Sequence, residues 1–526
     1  MTEAEFRARS ARALKARDYR ELVALCRTMR KQRSDFADAW FLESVAAEAG
    51  RNLSAAIRLV DEALRLAGDN AEYLVQKSRY HAAVNQLGAA GESAERALRL
   101  GFQDPLLLDT LGVVFTRRGE HERAAALHQR AVDAAPGQAQ FHFNLAAARQ
   151  FLGEDGAAQE HYERVIALQP SNARAYWALS ELGKDANDDR YEAPMKALAD
   201  KMESDRDGLY LAHALARIDE GRGDYETALR RLVEAKARRR KALDYSFARD
   251  RTLFASIREH FASAQHCEPI QDPNADPISG PLFIVGLPRT GTTLVERILS
   301  SHSCVASLGE VQDLPIALKR LSGVAGREVL SPQVIGAAAA VPDLPLAETY
   351  AESVRQRRGN LQQGARYLID KTPMNALLLG FIFRCLPTAR VILVRRDAMD
   401  AGLSNFRQLF ALDYSYYNYS YDLADTGHYV AEFERLSEHW AGLLGNRLFR
   451  LRYEDLVRDP EPQLRAMLAY LDLDWEASCL RFHDNRSAVA TPSNVQVRRP
   501  LYTSAIGRWR RYGDLLEPMR AAIADS

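Results

Sequence analysis

Hydrophobic positions along the chain follow two different rhythms. In the first half they keep a fixed register with small residues. Ala56, Ala90, Ala124 and Ala158 stand 34 residues apart, and Ala63, Ala97 and Ala131 form a second set. Gly119 and Gly153 share a position, as do Pro136 and Pro170, while Trp40, Leu74, Leu108, His142 and Tyr176 keep the same step. Small residues where two helices cross, with proline closing the unit, predict an array of helix pairs, clearest over 105–138 and 139–172. Residues 3–36 fit as a degenerate first unit. Residues 209–242, with Gly223, Ala228 and Ala235, fit as another, displaced by an insertion around 183–203. One pair cannot bury its apolar face alone, so neighbours stack into a solenoid with a concave groove.

After residue 266 this rhythm stops. The stretch Cys267–Pro281 carries prolines at 269, 273, 277 and 281, a density that cannot continue a helix. The chain therefore divides into a helical array over 1–266, a linker over 267–281 and a second domain over 282–526. In that domain short apolar runs at 282–285, 366–369 and 390–394 alternate with helical stretches. That alternation predicts an α/β domain with a mostly parallel sheet covered on both faces. The expected fold is an α-solenoid followed by a P-loop-like α/β domain.

Composition narrows the partners. At 526 residues the chain is long enough for two or three cores, and 47% hydrophobic with 27% charged residues suits a globular protein. Lys plus Arg (70) equals Asp plus Glu (70), so nothing in the overall charge points to nucleic acid or an anionic membrane. Any anion site must be local. No apolar run approaches the roughly 18–20 residues of a membrane span, and the charged N-terminus lacks the apolar core of a signal peptide. Five cysteines are scattered without metal-ligand spacing. They read as free thiols in a reducing compartment, with no zinc site and a cytoplasmic location expected.

The candidate chemistry starts at Gly286-Leu-Pro-Arg-Thr-Gly-Thr-Thr293, between a buried-strand pattern and an amphipathic run. Strand, glycine-bounded turn and helix start aim backbone N–H groups and the positive helix end at one point, which suits phosphate or a similar anion. The glycine spacing is that of a P-loop, but Thr292 stands where a nucleoside-triphosphate enzyme carries its lysine. A phosphosulfate has less terminal charge, and Arg289 supplies one cation within the loop. Further candidates stand at later strand ends: Asp370-Lys371 and Arg395-Arg396. Arg396 and Ser404 flank a helix opened by Asp397, a guanidinium and a hydroxyl suited to a phosphate.

Taken together, these motifs resemble the sulfotransferases that use 3′-phosphoadenosine 5′-phosphosulfate (PAPS), within them the tyrosylprotein sulfotransferases, over roughly 281–512. The first half resembles tetratricopeptide repeats. The sulfotransferase resemblance implies that Arg289, Thr290, Gly291, Thr292 and Thr293 form the 5′-phosphosulfate loop. It implies that Arg396 and Ser404 take the 3′-phosphate, and that Tyr453 contacts the nucleotide. Ser493 and Arg499 match polar positions of a late loop over the nucleotide, continued by Gly507-Arg-Trp509. Glu310 resembles the family's catalytic base and Lys371 its transition-state lysine, with Ser493 assisting on the same oxygens. Where the tyrosylprotein enzymes place an arginine four residues beyond Ser404, this chain has Gln408, with Arg407 beside it.

The expected activity is sulfuryl transfer from PAPS to a hydroxyl, without metal, on a protein or peptide acceptor held by the repeat groove. Tyrosine is one such acceptor; glycans and lipids stay open. The aromatic segment 414–421 is a candidate cleft wall, or a packed loop over the core. Support or homodimerisation is the competing use of the array. The competing functions are a P-loop kinase or NTPase, with Asp370 as its magnesium ligand, and a repeat scaffold with an inactive nucleotide domain.

Overall fold

The computed structural model describes residues 1–183, 189–269, 280–326, 328–357, 364–412, 415–485, 487–489, 491 and 494–525. It resolves into two compact units, Met1–Arg149 and Gln150–Ser526. In the first, helices pair in sequence: Glu3–Ala16 with Tyr19–Gln32, Ala37–Ala49 with Leu53–Ala67, Ala71–Ala83 with Leu87–Arg99, and Pro105–Arg117 with His121–Ala134. The register alanines Ala56, Ala63, Ala90, Ala97, Ala124 and Ala131 are fully buried, as close helix packing requires. The degenerate first pair is formed too, and Phe6, Leu22, Cys26 and Met29 give it an apolar core with Phe36 and Ala39.

The turn inside each pair explains a further feature of the period. Arg17, Arg51, Asn85 and Gly119 all lie in the left-handed region, at φ of 55°, 60°, 59° and 80°. Gly153, in the second unit, continues the series at 79°. Glycine takes this conformation without strain, which is why only Gly119 and Gly153 stand out in the sequence. The arginines and asparagine adopt it at a small cost that helix packing on either side offsets.

The second unit begins with the end of helix Ala139–Leu152 and continues through Asp155–Leu168, Ala173–Glu181, Asp205–Gly221, Tyr225–Ala242 and Phe247–His260. A sheet follows, five-stranded among the described residues: β1 (Pro281–Gly286), β2 (Val305–Ser307), β3 (Tyr367–Asp370), β4 (Arg390–Arg395) and β5 (Leu448–Arg452). The order is β2-β3-β1-β4-β5 and every pairing is parallel. Strands β2 and β5 are additions to the sequence expectation. Alternate residues of β1 feed two cores. Phe283 and Val285 join Phe254, Ile257, Phe261 and Trp440 on one face, whereas Leu282 and Ile284 join Val295, Ile298, Leu464 and Met467 on the other. Burial on both faces is what a continuous apolar run such as Leu282–Val285 demands.

Chain order places β2 and β3 on one side of β1 and β4 and β5 on the other. That reversal opens a crevice beyond the carboxyl end of β1, where ligands of such sheets bind. Helices Asp205–Gly221 and Tyr225–Ala242 pack beside this end: Ala216, Ala228, Leu229 and Leu232 share a core with Leu403, Phe406, Tyr512 and Met519. Among the described residues no helix is long and apolar enough to cross a membrane. Cys26, Cys267, Cys385 and Cys479 are free and buried. Burial pushes the Cys26 thiol up to about 12 and the other three to about 11.

Candidate active site

The loop after β1 is shaped by close approach. A Cβ at Gly286 would lie 2.5 Å from the Val394 carbonyl oxygen, and one at Gly291 would lie 2.5 Å from the Tyr453 ring. Only glycine permits both contacts. Thr290 Oγ1 donates to the Leu287 carbonyl at 2.7 Å, closing the turn, and Gly291 caps the helix Thr292–Leu299. The first N–H groups of that helix have no acceptor within it, and the side chains of Thr292 and Thr293 are buried beside them.

Two arginines lie at this loop. Arg396, at the end of β4, donates through Nη1 to the Arg289 carbonyl at 3.2 Å and to Ser404 Oγ at 3.4 Å. Its Nη2 donates to the Ala505 carbonyl at 2.6 Å, and its guanidinium lies 4.7 Å above the Tyr453 ring. Asp397 caps the helix Ala398–Phe406, which brings Ser404 back to Arg396. Burial pushes the Arg289 guanidinium down to about 10; Glu181 opposes the shift, while Arg217 and Arg396 add to it. The Nε of Arg396 is buried with no hydrogen-bond partner among the described residues. Crowded cations and a spare buried donor make an environment that suits an anion.

Glu310 and Lys371 form a second cluster beside the loop helix. The backbone sets both: Lys371 N donates to the Gly309 carbonyl at 2.9 Å, and Thr372 Oγ1 donates to the Val311 carbonyl at 2.7 Å. Fully buried, the Lys371 ammonium donates to Glu310 Oε1 at 2.5 Å and lies 3.6 Å from Glu296 Oε2. Glu296 in turn accepts from Ser307 Oγ at 2.6 Å. Asp370 points elsewhere. Fully buried, it accepts from Tyr350 Oη at 3.1 Å and Asn375 Nδ2 at 3.3 Å, and burial raises its carboxyl to about 7.

The Glu310 side chain is about one third exposed, at 35%, and lines a cleft. Pro315, Leu330, Pro373, Met374, Tyr416 and Tyr417 give this cleft an apolar and aromatic lining. Tyr417 stacks on Phe410 with ring centroids 4.2 Å apart, and Tyr416 meets Tyr417 at 4.6 Å. The aromatic segment 414–421 thus supplies part of the wall, with Tyr414 outside the described residues.

The structure gathers Arg289, Thr290, Gly291, Thr292, Thr293, Arg396, Ser404 and Tyr453 at the carboxyl ends of the neighbouring strands β1, β4 and β5, with Glu310 and Lys371 alongside. Ser493 lies outside the described residues. Arg499 is exposed, its guanidinium 3.7 Å from where a Cβ of Gly183 would sit, and its side chain makes no hydrogen bond among the described residues. Its neighbours in the late segment do engage the loop: Arg289 donates to Gln496 Oε1 at 3.3 Å, and Thr293 Oγ1 lies 3.4 Å from Thr491 Oγ1. Arg407 is bound by Glu220, and Gln408 is buried, donating to the Leu409 carbonyl.

Three participants escape the sequence reading. Glu296, four residues after Thr292, shares a helix face with the loop threonine, a spacing the sequence does carry. Asp400 accepts from the backbone of Gly507 at 2.6 Å and of Trp509 at 3.2 Å. The fully buried Asn405 donates to the Pro288 carbonyl at 2.7 Å and accepts from Tyr419 Oη at 2.7 Å, joining the loop to the aromatic segment.

Known proteins with similar sequences or folds can now be set beside this geometry. Residues 281–477 match a family model described as Sulfotransferase family. An uncharacterized protein of Aquifex aeolicus (strain VF5) is 27% identical over 368 residues, 70% of this chain and 48% of its own length. Protein-tyrosine sulfotransferase 1 of Danio rerio is 25% identical over 240 residues, 43% of this chain and 65% of its own. Among solved structures, a sulfotransferase domain from the curacin biosynthetic pathway is 16% identical, covering 47% of this chain and 96% of that one, with a TM-score of 0.31. The chain spans between 48% and 66% of the length of three curated relatives it matches.

Proposed function

We propose, for a chain that joins tetratricopeptide-type repeats to a sulfotransferase-family region, transfer of a sulfuryl group from PAPS to an acceptor hydroxyl. The observation that carries this reading is the Glu310–Lys371 pair, set between a lysine-free anion cradle and an apolar cleft. Arg289 and the helix start at Thr292 and Thr293 would hold the phosphosulfate end. Arg396 and Ser404 would hold the 3′-phosphate, with Tyr453 beside the nucleotide. Ser493 and Arg499 keep their places on sequence grounds alone. When bound, the donor supplies an activated sulfuryl group and leaves as adenosine 3′,5′-bisphosphate.

Glu310 takes the proton that the acceptor hydroxyl loses as its oxygen bonds to sulfur, a contribution of ~10²–10⁴-fold for a positioned base. Lys371, buried and fixed by two carboxylates, presents positive charge where the leaving oxygen becomes negative. The aromatic and proline-rich cleft suits a flat apolar acceptor such as the phenol of tyrosine, and the similarity to protein-tyrosine sulfotransferases favours the same class. A protein or peptide acceptor follows, with the repeat groove as a second holding surface.

Incubation with ³⁵S-labelled PAPS and N-acetyl-tyrosine amide tests the reading, alongside calorimetric titration of adenosine 3′,5′-bisphosphate. Transfer to the phenol and saturable binding of the bisphosphate are expected. Absence of both would overturn the proposal.

A further inference from the structure

Lys236 lies on the helix Tyr225–Ala242, in register with the buried residues Ala228, Leu229 and Leu232 on its apolar face. Its side chain is fully buried. The Nζ donates to the Ser420 carbonyl at 2.8 Å and the Gln408 carbonyl at 3.3 Å. It also lies 4.7 Å from the Phe406 ring centroid and 5.6 Å from that of Tyr421. Among the described residues, two carbonyl dipoles and two ring faces are therefore its charge partners, which is a costly way to bury a lysine. Burial pushes its ammonium down to about 7. Arg217 and Arg407 share its surroundings around His213, whose imidazole burial holds well below the ordinary value.

The two carbonyls are the ends of one excursion. Among the described residues between Gln408 and Ser420, Tyr416 and Tyr417 line the cleft and Phe410 stacks on Tyr417. Ser420 Oγ donates to the Tyr417 carbonyl at 2.8 Å, so the fixed end is tied directly to the cleft wall. We infer that Lys236 is a positioning residue for the acceptor: one ammonium from a repeat helix clasps both ends of the aromatic excursion and holds its tyrosines where the acceptor binds. The inference rests on the acceptor cleft of the proposed function. It makes a repeat helix part of acceptor recognition with no contact to the acceptor itself.

The test compares the full chain with Lys236→Met, which keeps the aliphatic stem and removes the donors. Hydrogen exchange followed by mass spectrometry should quicken in peptides covering 409–421. The KM for N-acetyl-tyrosine amide should rise about 10-fold, as a displaced wall implies, with bisphosphate affinity within about 2-fold of the parent. Lys236→Gln retains an uncharged donor and should give an intermediate KM; it also carries the test if the methionine variant does not fold. Unchanged exchange over 409–421, or quickened exchange with an unchanged acceptor KM, would overturn the inference. Equal losses of donor and acceptor binding would do the same, since they report general loosening. Failure of the parent chain to bind bisphosphate or transfer sulfate would instead strike the proposed function, and the exchange comparison would still decide whether the clasp exists.

Discussion

The cradle after β1 and the cleft below Glu310 lie side by side and are built on opposite principles. The cradle is polar, fixed by backbone carbonyls and two guanidinium groups at adjacent strand ends. The cleft is mainly apolar, contains the partly exposed Glu310 carboxylate, and draws its wall from segments near residues 312, 330, 373 and 416. On the proposed reading the first would hold a charged nucleotide through directed hydrogen bonds, and the second its acceptor mainly by surface. Damage to one should therefore be separable from damage to the other in kinetics.

The largest expected effect falls on the residue at their border. Glu310→Gln should lower kcat by ~10²–10⁴-fold with bisphosphate affinity unchanged by calorimetry. A variant as active as the parent would take the carboxylate out of the mechanism. Next comes the cradle alone. Arg396→Gln removes hydrogen bonds from a charged donor, each worth about 1.5–3 kcal/mol, so bisphosphate affinity should fall roughly 10–150-fold while acceptor KM holds. Equal movement of both parameters would show that the two regions are not independent. The cleft alone responds less. Tyr417→Ala, which removes the stack on Phe410, should raise acceptor KM about 3–10-fold and leave bisphosphate binding intact, read from initial rates.

The smallest effect belongs to neither region. The Asp370 carboxyl is held at about 7 by burial, above its ordinary unfolded value, so the fold keeps a proton that the unfolded chain releases. Its stabilising contribution is present below about pH 4 and is lost as pH rises towards 7. Asp370→Asn should flatten that part of the stability curve in urea denaturation, with bisphosphate binding unaltered. A lost bisphosphate site in this variant would place Asp370 within the cradle.

The same contrast decides what could be read from the sequence. The cradle is legible because strand, glycine turn and helix start run contiguously from Pro281 to Leu299, and its partners sit at the ends of apolar runs. The cleft is not, because its wall joins positions over a hundred residues apart and none has a local signature. Strand β2 has three residues, too few to show a period, and β5 carries arginines at 450 and 452 among its apolar positions. In the array, glycine marked the left-handed turn only where glycine occurs; Arg17, Arg51 and Asn85 adopt the same backbone without announcing it. Lys236 reads as one more cation in a basic run until its register with Leu232 is noticed.

The buried thiols offer a way to watch the molecule come apart. A protonated, enclosed sulfur resists alkylation until local opening exposes it, so modification rates measure the opening free energy around each cysteine. Cys26 would report on Met1–Arg149, and Cys267, Cys385 and Cys479 on Gln150–Ser526. The natural sequence thus carries its own set of chemical stopwatches, one for the first body and three for the second.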